Sequence, residues 1–159
     1  MSRRLRPEGP DFVEASPVRL VFERSLSASP EAVYRALAVD VSEWPEWFPA
    51  VTSARSTDAG AGRQVGLRGG VRIRETVLAA EPSRVYTYRV DTMNTPGVRA
   101  LVEEWRLTPD GTGTRVRWTM AADGTAAFRL LARLGRRGLG RAFRGAVTAL
   151  DRRLASTRA

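Results

Sequence analysis

The chain is 159 residues long, enough for one domain whose core needs no disulfide or metal to hold it. It contains no Cys and no His, and all 26 basic residues are Arg, so thiol and imidazole catalysis, Cys/His zinc sites and Schiff-base chemistry on Lys are excluded. The net charge of +9 is uneven: residues 125–159 carry nine Arg against the single acid Asp151, while the first 124 residues are close to balanced.

Residues 1–17 are polar, with Pro7, Pro10 and Pro17, and are expected to form a flexible N-terminal tail ahead of a single domain over residues 18–159. The opening residues lack the apolar stretch of a secretory leader, and no apolar run reaches the about 18 residues of a membrane span. A cytoplasmic protein without a transmembrane segment is expected.

Arg19–Leu26 alternates as a strand and stops at Ser27-Ala28-Ser29-Pro30-Glu31, where Ser29 suits a helix N-cap and Pro30 the first helical position. Ala32, Val33, Ala36 and Leu37 give that helix a buried stripe, and a second short helix is expected over Val41–Trp47, interrupted by Pro45. Six strands follow: Val51–Thr57, Arg63–Arg68, Val71–Ala80, Arg84–Met93, Val98–Thr108 and Thr114–Ala121. The turns between them are rich in Gly, Pro, Asn and Asp, which predicts an antiparallel meander. From Thr125 onward Phe128, Leu131, Leu134, Leu139, Phe143, Val147, Leu150 and Leu154 recur near every 3.6 residues with Arg between them. That is a long basic helix, with a bend expected near Gly138. The expected fold class is α+β: a curved antiparallel sheet of about seven strands around a long C-terminal helix, with two short helices after the first strand. Such a fold leaves an apolar cavity between helix and sheet unless large side chains fill it.

Six segments carry a resemblance: Ser27–Tyr34, Trp44–Pro49, Gly60–Gly62, Glu75–Val77, Glu81–Val85 and Leu107–Trp118. Spanning Arg19 to about Ala122, they resemble the SRPBCC superfamily (START-like, helix-grip fold), in its polyketide cyclase/dehydrase and lipid transport branch. The resemblance implies a helix-grip fold and a hydrophobic small-molecule ligand, lipid or polyketide-like, held in an internal cavity. It also puts the Asn94–Gly97 turn near the cavity entrance. No cofactor or metal is expected: neither Gly60-Ala61-Gly62 nor Gly111-Thr112-Gly113 opens a helix as a phosphate loop would, and no acidic cluster has metal-ligand spacing.

Strand alternation turns Ile73 and Glu75, Tyr86 and Tyr88, Glu103 and Trp105, and Trp118 toward the inside. Glu75 and Glu103 are carboxylates on otherwise apolar faces, so each must be paired, wet or protonated. They are the candidates for a ligand hydrogen bond or for general acid–base catalysis; the alternative is an internal salt bridge with an Arg. The candidate ligand-binding set is Ile73, Glu75, Tyr86, Tyr88, Glu103, Trp105, Trp118 and Phe128, with Trp44 and Trp47 bracing the short helices or closing a lid. Three functions fit: binding of a hydrophobic small molecule, a cyclase or dehydratase with a cavity Glu as base, or an interaction protein. The last would use the Arg-rich C-terminal helix on anionic lipid or nucleic acid.

Overall fold

Alternating segments joined by tight turns pair into one sheet. The computed structural model describes residues 1–158. In chain order it contains β1 (Arg3–Arg4), α1 (Phe12–Ala15), β2 (Val18–Leu26), α2 (Pro30–Tyr34), β3 (Val51–Thr57), β4 (Gly62–Leu67), β5 (Val71–Glu81) and β6 (Val85–Met93). These are followed by β7 (Val98–Asp110), β8 (Gly113–Gly124), α3 (Ala126–Leu134) and α4 (Arg136–Ser156). The sheet runs β2-β8-β7-β6-β5-β4-β3 with β1 added on β6, and every pairing is antiparallel. This is the α+β helix-grip arrangement, with an open curved sheet and a long C-terminal helix. Two bulges in the β5–β6 pairing, with Asp91 the extra residue on β6 and Leu78 the extra residue on β5, help bend it. No helix among the described residues is long and apolar enough to cross a membrane.

Local chemistry fixes the ends of the elements. Gly69 and Gly70, both at φ near 80°, turn β4 into β5 in a conformation that a side chain would oppose. Gly124 lies so close to the Gly97 carbonyl oxygen and the Phe128 ring that a Cβ would collide with both. The start of β7, the end of β8 and the first turn of α3 can therefore meet. Ser29 Oγ accepts a hydrogen bond from the Ala32 N–H at 3.3 Å, and Pro30 opens α2. The chain then winds through a π turn (Arg35–Val39) and a 3₁₀ turn (Val41–Glu46) that bury Leu37 and Trp44. Trp44 Nε1–H donates to the Leu37 carbonyl at 3.1 Å, so Trp44 and Trp47 brace these turns against the sheet.

α4 lays Phe143, Ala146, Val147 and Leu150 against the inside of the sheet, fully buried. Near its end Asp151, the single acid of the basic segment, accepts hydrogen bonds from the Ser27 N–H, the Ala28 N–H and the Ser27 hydroxyl, each at 2.9 Å. Burial works to raise the Asp151 pKa, but these donors prevail and hold it below its ordinary value.

Three expectations are corrected. Residues 1–17 are not a flexible tail. Arg3 and Arg4 pair with Met93 and Thr92, the Leu5 N–H donates to the Asp91 carbonyl and the Arg6 N–H to the Arg99 carbonyl. The segment thus closes the gap where β6 and β7 splay apart, and α1 then packs Phe12 and Val13 on Ala100, Val102 and Ala121 on the outer face. The polar composition hid this because the fastening combines main-chain pairing with only three buried apolar side chains, Leu5, Phe12 and Val13. The bend in the C-terminal helix falls at Gly135, not Gly138, which lies within α4. Finally, the space between α4 and the sheet is taken up by rings. Trp105 stacks on Trp118 at 5.5 Å, Trp118 on Phe143 at 5.9 Å and Phe143 on Phe22 at 6.0 Å, with Trp44 edge-on to Trp105 at 5.9 Å. Large side chains fill the room that the fold would otherwise leave as a cavity.

Candidate functional site

The inward faces of β4 to β8 carry a line of polar groups through this aromatic interior. On β4, Arg63 is buried beside Glu75, its cross-strand partner on β5. Both its Nε and Nη2 reach Glu75 Oε2, at 2.7 and 2.6 Å. The guanidinium also lies over the rings of Tyr88, Trp44 and Tyr86, at 4.0, 4.5 and 5.4 Å from their centres. One buried nitrogen, Arg63 Nη1, has no hydrogen-bond partner. Glu75 is therefore engaged in the internal salt bridge that was the alternative to a ligand contact.

The second part of the line is centred on Glu103. Tyr88 O–H donates to Glu103 Oε2 at 2.7 Å, Trp118 Nε1–H donates to the same oxygen at 3.2 Å, and Trp105 Nε1–H donates to the Tyr88 oxygen at 3.0 Å. The register makes this set unavoidable, because Tyr88 pairs with Glu103 and Trp105 pairs with Trp118 across adjacent strands. Glu103 and its cross-strand neighbour Met120 face inward yet stay partly exposed, whereas Tyr88 and Trp105 are buried. Solvent thus touches the edge of this set at Glu103 and Met120.

Burial pushes the Glu75 carboxyl up to about 7, opposed by Arg63 and reinforced by the nearby Glu103. Burial also disfavours the Arg63 cation, but the Glu75 charge outweighs it and keeps the guanidinium protonated. Glu103 is raised as well, by burial, against the hydrogen bond from Tyr88 and the charge of Arg63. Tyr88 is held well above its ordinary value, first by burial and then by the Glu103 charge, so its phenol stays a donor. Among the described residues, no group of three or more acids is placed to hold a metal ion.

The family described as polyketide cyclase / dehydrase and lipid transport matches residues 17–155. The chain belongs to this family. An uncharacterized protein of Mycobacterium tuberculosis is 31% identical over 118 residues, 71% of this chain and 70% of that protein. Two solved structures show the shared fold. A START superfamily protein from Mycobacterium smegmatis is 11% identical with a TM-score of 0.70, covering 87% of this chain and 98% of that one. An aromatase/cyclase named Zhui from a Streptomyces species is 18% identical with a TM-score of 0.68, covering 87% and 93%.

Within this family member, the structure gathers Glu75, Tyr86, Tyr88, Glu103, Trp105 and Trp118 in one inward-facing region. Ile73 is buried two residues along from Glu75, beside Val65 and Met93, and lies outside the hydrogen-bonded set. Phe128 packs at the start of α3 against Gly97 and Gly124, also apart from it. The Asn94–Gly97 turn is tied down: Asn94 accepts from the Arg72 N–H at 2.7 Å and donates to the Gly70 carbonyl at 2.9 Å. Sequence reading missed Arg63. Its signal was the two-residue step to Val65 on a strand whose partner carries Glu75, which placed a cation opposite an inward carboxylate.

Proposed function

We propose that the protein binds a hydrophobic small molecule between the sheet and the C-terminal helix, reaching the interior beside Glu103 and Met120. One observation carries this reading. Glu103 is a hydrogen-bonded, partly exposed carboxyl on an otherwise aromatic inner face, where it can orient the polar end of an apolar ligand. Family membership supports a ligand of lipid or polyketide type. Because rings fill the interior, such a ligand must displace some of them, and affinity then depends on shape match as well as buried area.

The test is native mass spectrometry of the purified protein, followed by tryptophan-fluorescence titration with oleate and with the anthraquinone emodin. The expected result is a non-covalent adduct lost on denaturation, or saturable quenching by at least one probe. Glu103→Gln should weaken that binding about tenfold, the worth of one hydrogen bond to a charged group. No adduct and no saturation with either probe would overturn the reading.

A second reading, acid–base chemistry of the cyclase/dehydratase kind, draws on the partly exposed Glu103 carboxyl, raised by burial and held in place by hydrogen bonds from Tyr88 and Trp118. The same variant separates the two. In a carrier it weakens binding; in an enzyme it abolishes turnover and spares binding.

A further inference from the structure

α3 buries none of its residues, although its sequence is strongly apolar on one side. Phe128 and Ala132 lean on the core, Arg129 bonds Asp123 at 2.8 Å and Arg133 donates to the Pro17 carbonyl at 3.0 Å. Those four residues account for the side turned toward the protein. At about 100° per residue, the other side carries Ala126, Ala127, Leu130, Leu131 and Leu134, with no polar side chain among them. The three leucines are 57, 67 and 72% exposed. An outward helix face is ordinarily polar, so a wholly apolar one marks a surface built to meet something.

The charge around it says what. Beyond the bend at Gly135, α4 turns Gly140, Phe143, Ala146, Val147 and Leu150 toward the protein. At about 100° per residue Arg137 and Arg141 fall on the side of α4 away from that buried face, one to two turns beyond Leu134, and Arg144 lies beside them. All three are exposed, and none has an acidic partner among the described residues. The single acid of the segment, Asp151, is held by Ser27 and Ala28. Apolar side chains at one end and unpaired guanidinium groups at the other complement a bilayer whose headgroups are anionic: leucines enter the acyl boundary while Arg meets phosphate.

We infer that α3 and the first turns of α4 dock on an anionic phospholipid membrane, with Leu130, Leu131 and Leu134 inserted and Arg137 and Arg141 on the headgroups. This surface is distinct from the Glu103 region and does not depend on a ligand occupying the interior.

The test is co-sedimentation of the full chain with vesicles of phosphatidylcholine alone and of phosphatidylcholine with about one-third phosphatidylglycerol. Binding to the anionic vesicles should exceed binding to the neutral ones by about tenfold or more, and should weaken as salt rises from about 50 to 200 mM. Leu131→Ser with Leu134→Ser should cut binding to the anionic vesicles by about tenfold. Arg137→Gln with Arg141→Gln should weaken it and flatten the salt dependence. Both pairs should keep the wild-type melting temperature, since all four side chains are exposed. Three results would overturn the inference: no binding of the wild type to anionic vesicles, unchanged binding of the leucine variant, or tighter salt-dependent binding to duplex DNA than to vesicles. So would a wild-type dimer in sedimentation velocity that the leucine variant converts to monomer, because a second copy would then cover the patch.

Discussion

α3 and α4 share a similar apolar spacing, yet they meet different surroundings. On α4, Phe143, Ala146, Val147 and Leu150 disappear against Phe22, Trp118 and the inside of the sheet. On α3 the leucines stand in solvent, and Phe128 and Ala132 make a narrower contact at the end of β8. The difference lies in what is opposite. α4 runs across the curved face, whereas α3 starts where Gly124 ends the last strand. Periodicity thus reports that a helix has an apolar side, and the sheet decides which part of that side becomes core.

The widest gap between the two helices should appear in Phe143→Ala. The ring is buried and packs on Phe22, Trp118 and Trp105, and Trp105 and Trp118 stack on each other, so little can move into the hole. Loss of about 3–5 kcal/mol is expected, read as a lowered urea midpoint with an unchanged slope. A loss below about 1 kcal/mol would mean that the rings repack freely, and the contrast between the helices would then be one of exposure alone.

The interior that receives α4 can also be pressed from the sheet side. Arg63→Met removes the cation that faces Glu75 and the group that packs on Tyr88 and Trp44. At neutral pH it should cost about 3 kcal/mol, because a buried carboxyl is left without its partner. Replacing both members by apolar residues should restore most of that loss, which a double-mutant cycle would show.

A smaller effect follows from the same buried carboxyl. In the unfolded chain Glu75 titrates near its ordinary 4.5, and in the fold near 7. Between those values the native state holds a proton that the unfolded state has released, so stability falls as pH rises through that window. Glu103 pulls in the same direction, whereas Asp123 and Asp151, both held below their ordinary 3.8, give a fold that weakens only in stronger acid. The melting temperature should therefore rise on going from about pH 8 to pH 5.5, and Glu75→Gln should flatten that slope. A flat profile over that range, with loss of stability only in stronger acid, would show that Arg63 governs the titration of Glu75 more strongly than burial does.

The sheet was legible because turn residues and alternation are local. Gly69-Gly70, Glu81-Pro82-Ser83 and Asn94–Gly97 announce hairpins, and the two-residue step sends Tyr86, Tyr88, Glu103, Trp105 and Trp118 inward. What stayed hidden was non-local. Arg63 shares a face with Val65, but its partner Glu75 emerges only once the register of β4 and β5 is set. Leu5, Phe12 and Val13 are too few to announce that residues 1–17 fasten to β6 and the outer face. Whether rings or empty space lie under α4 depends on how Phe22, Trp44, Trp105, Trp118 and Phe143 converge from four separate segments.

The smallest expected effect closes the comparison from the other end. Leu131→Ala removes as regular a member of the apolar repeat as Phe143, yet its side chain is 67% exposed and leaves no cavity behind. Alanine also favours helix slightly more than leucine does, so the change should fall within about 0.5 kcal/mol of the wild type. If it cost as much as a core substitution, α3 would have to pack its leucines against the protein in solution, and the surface available to a membrane would vanish with them. If it is neutral, Leu131 adds nothing to folding, and the apolar face of α3 stays free to meet a membrane.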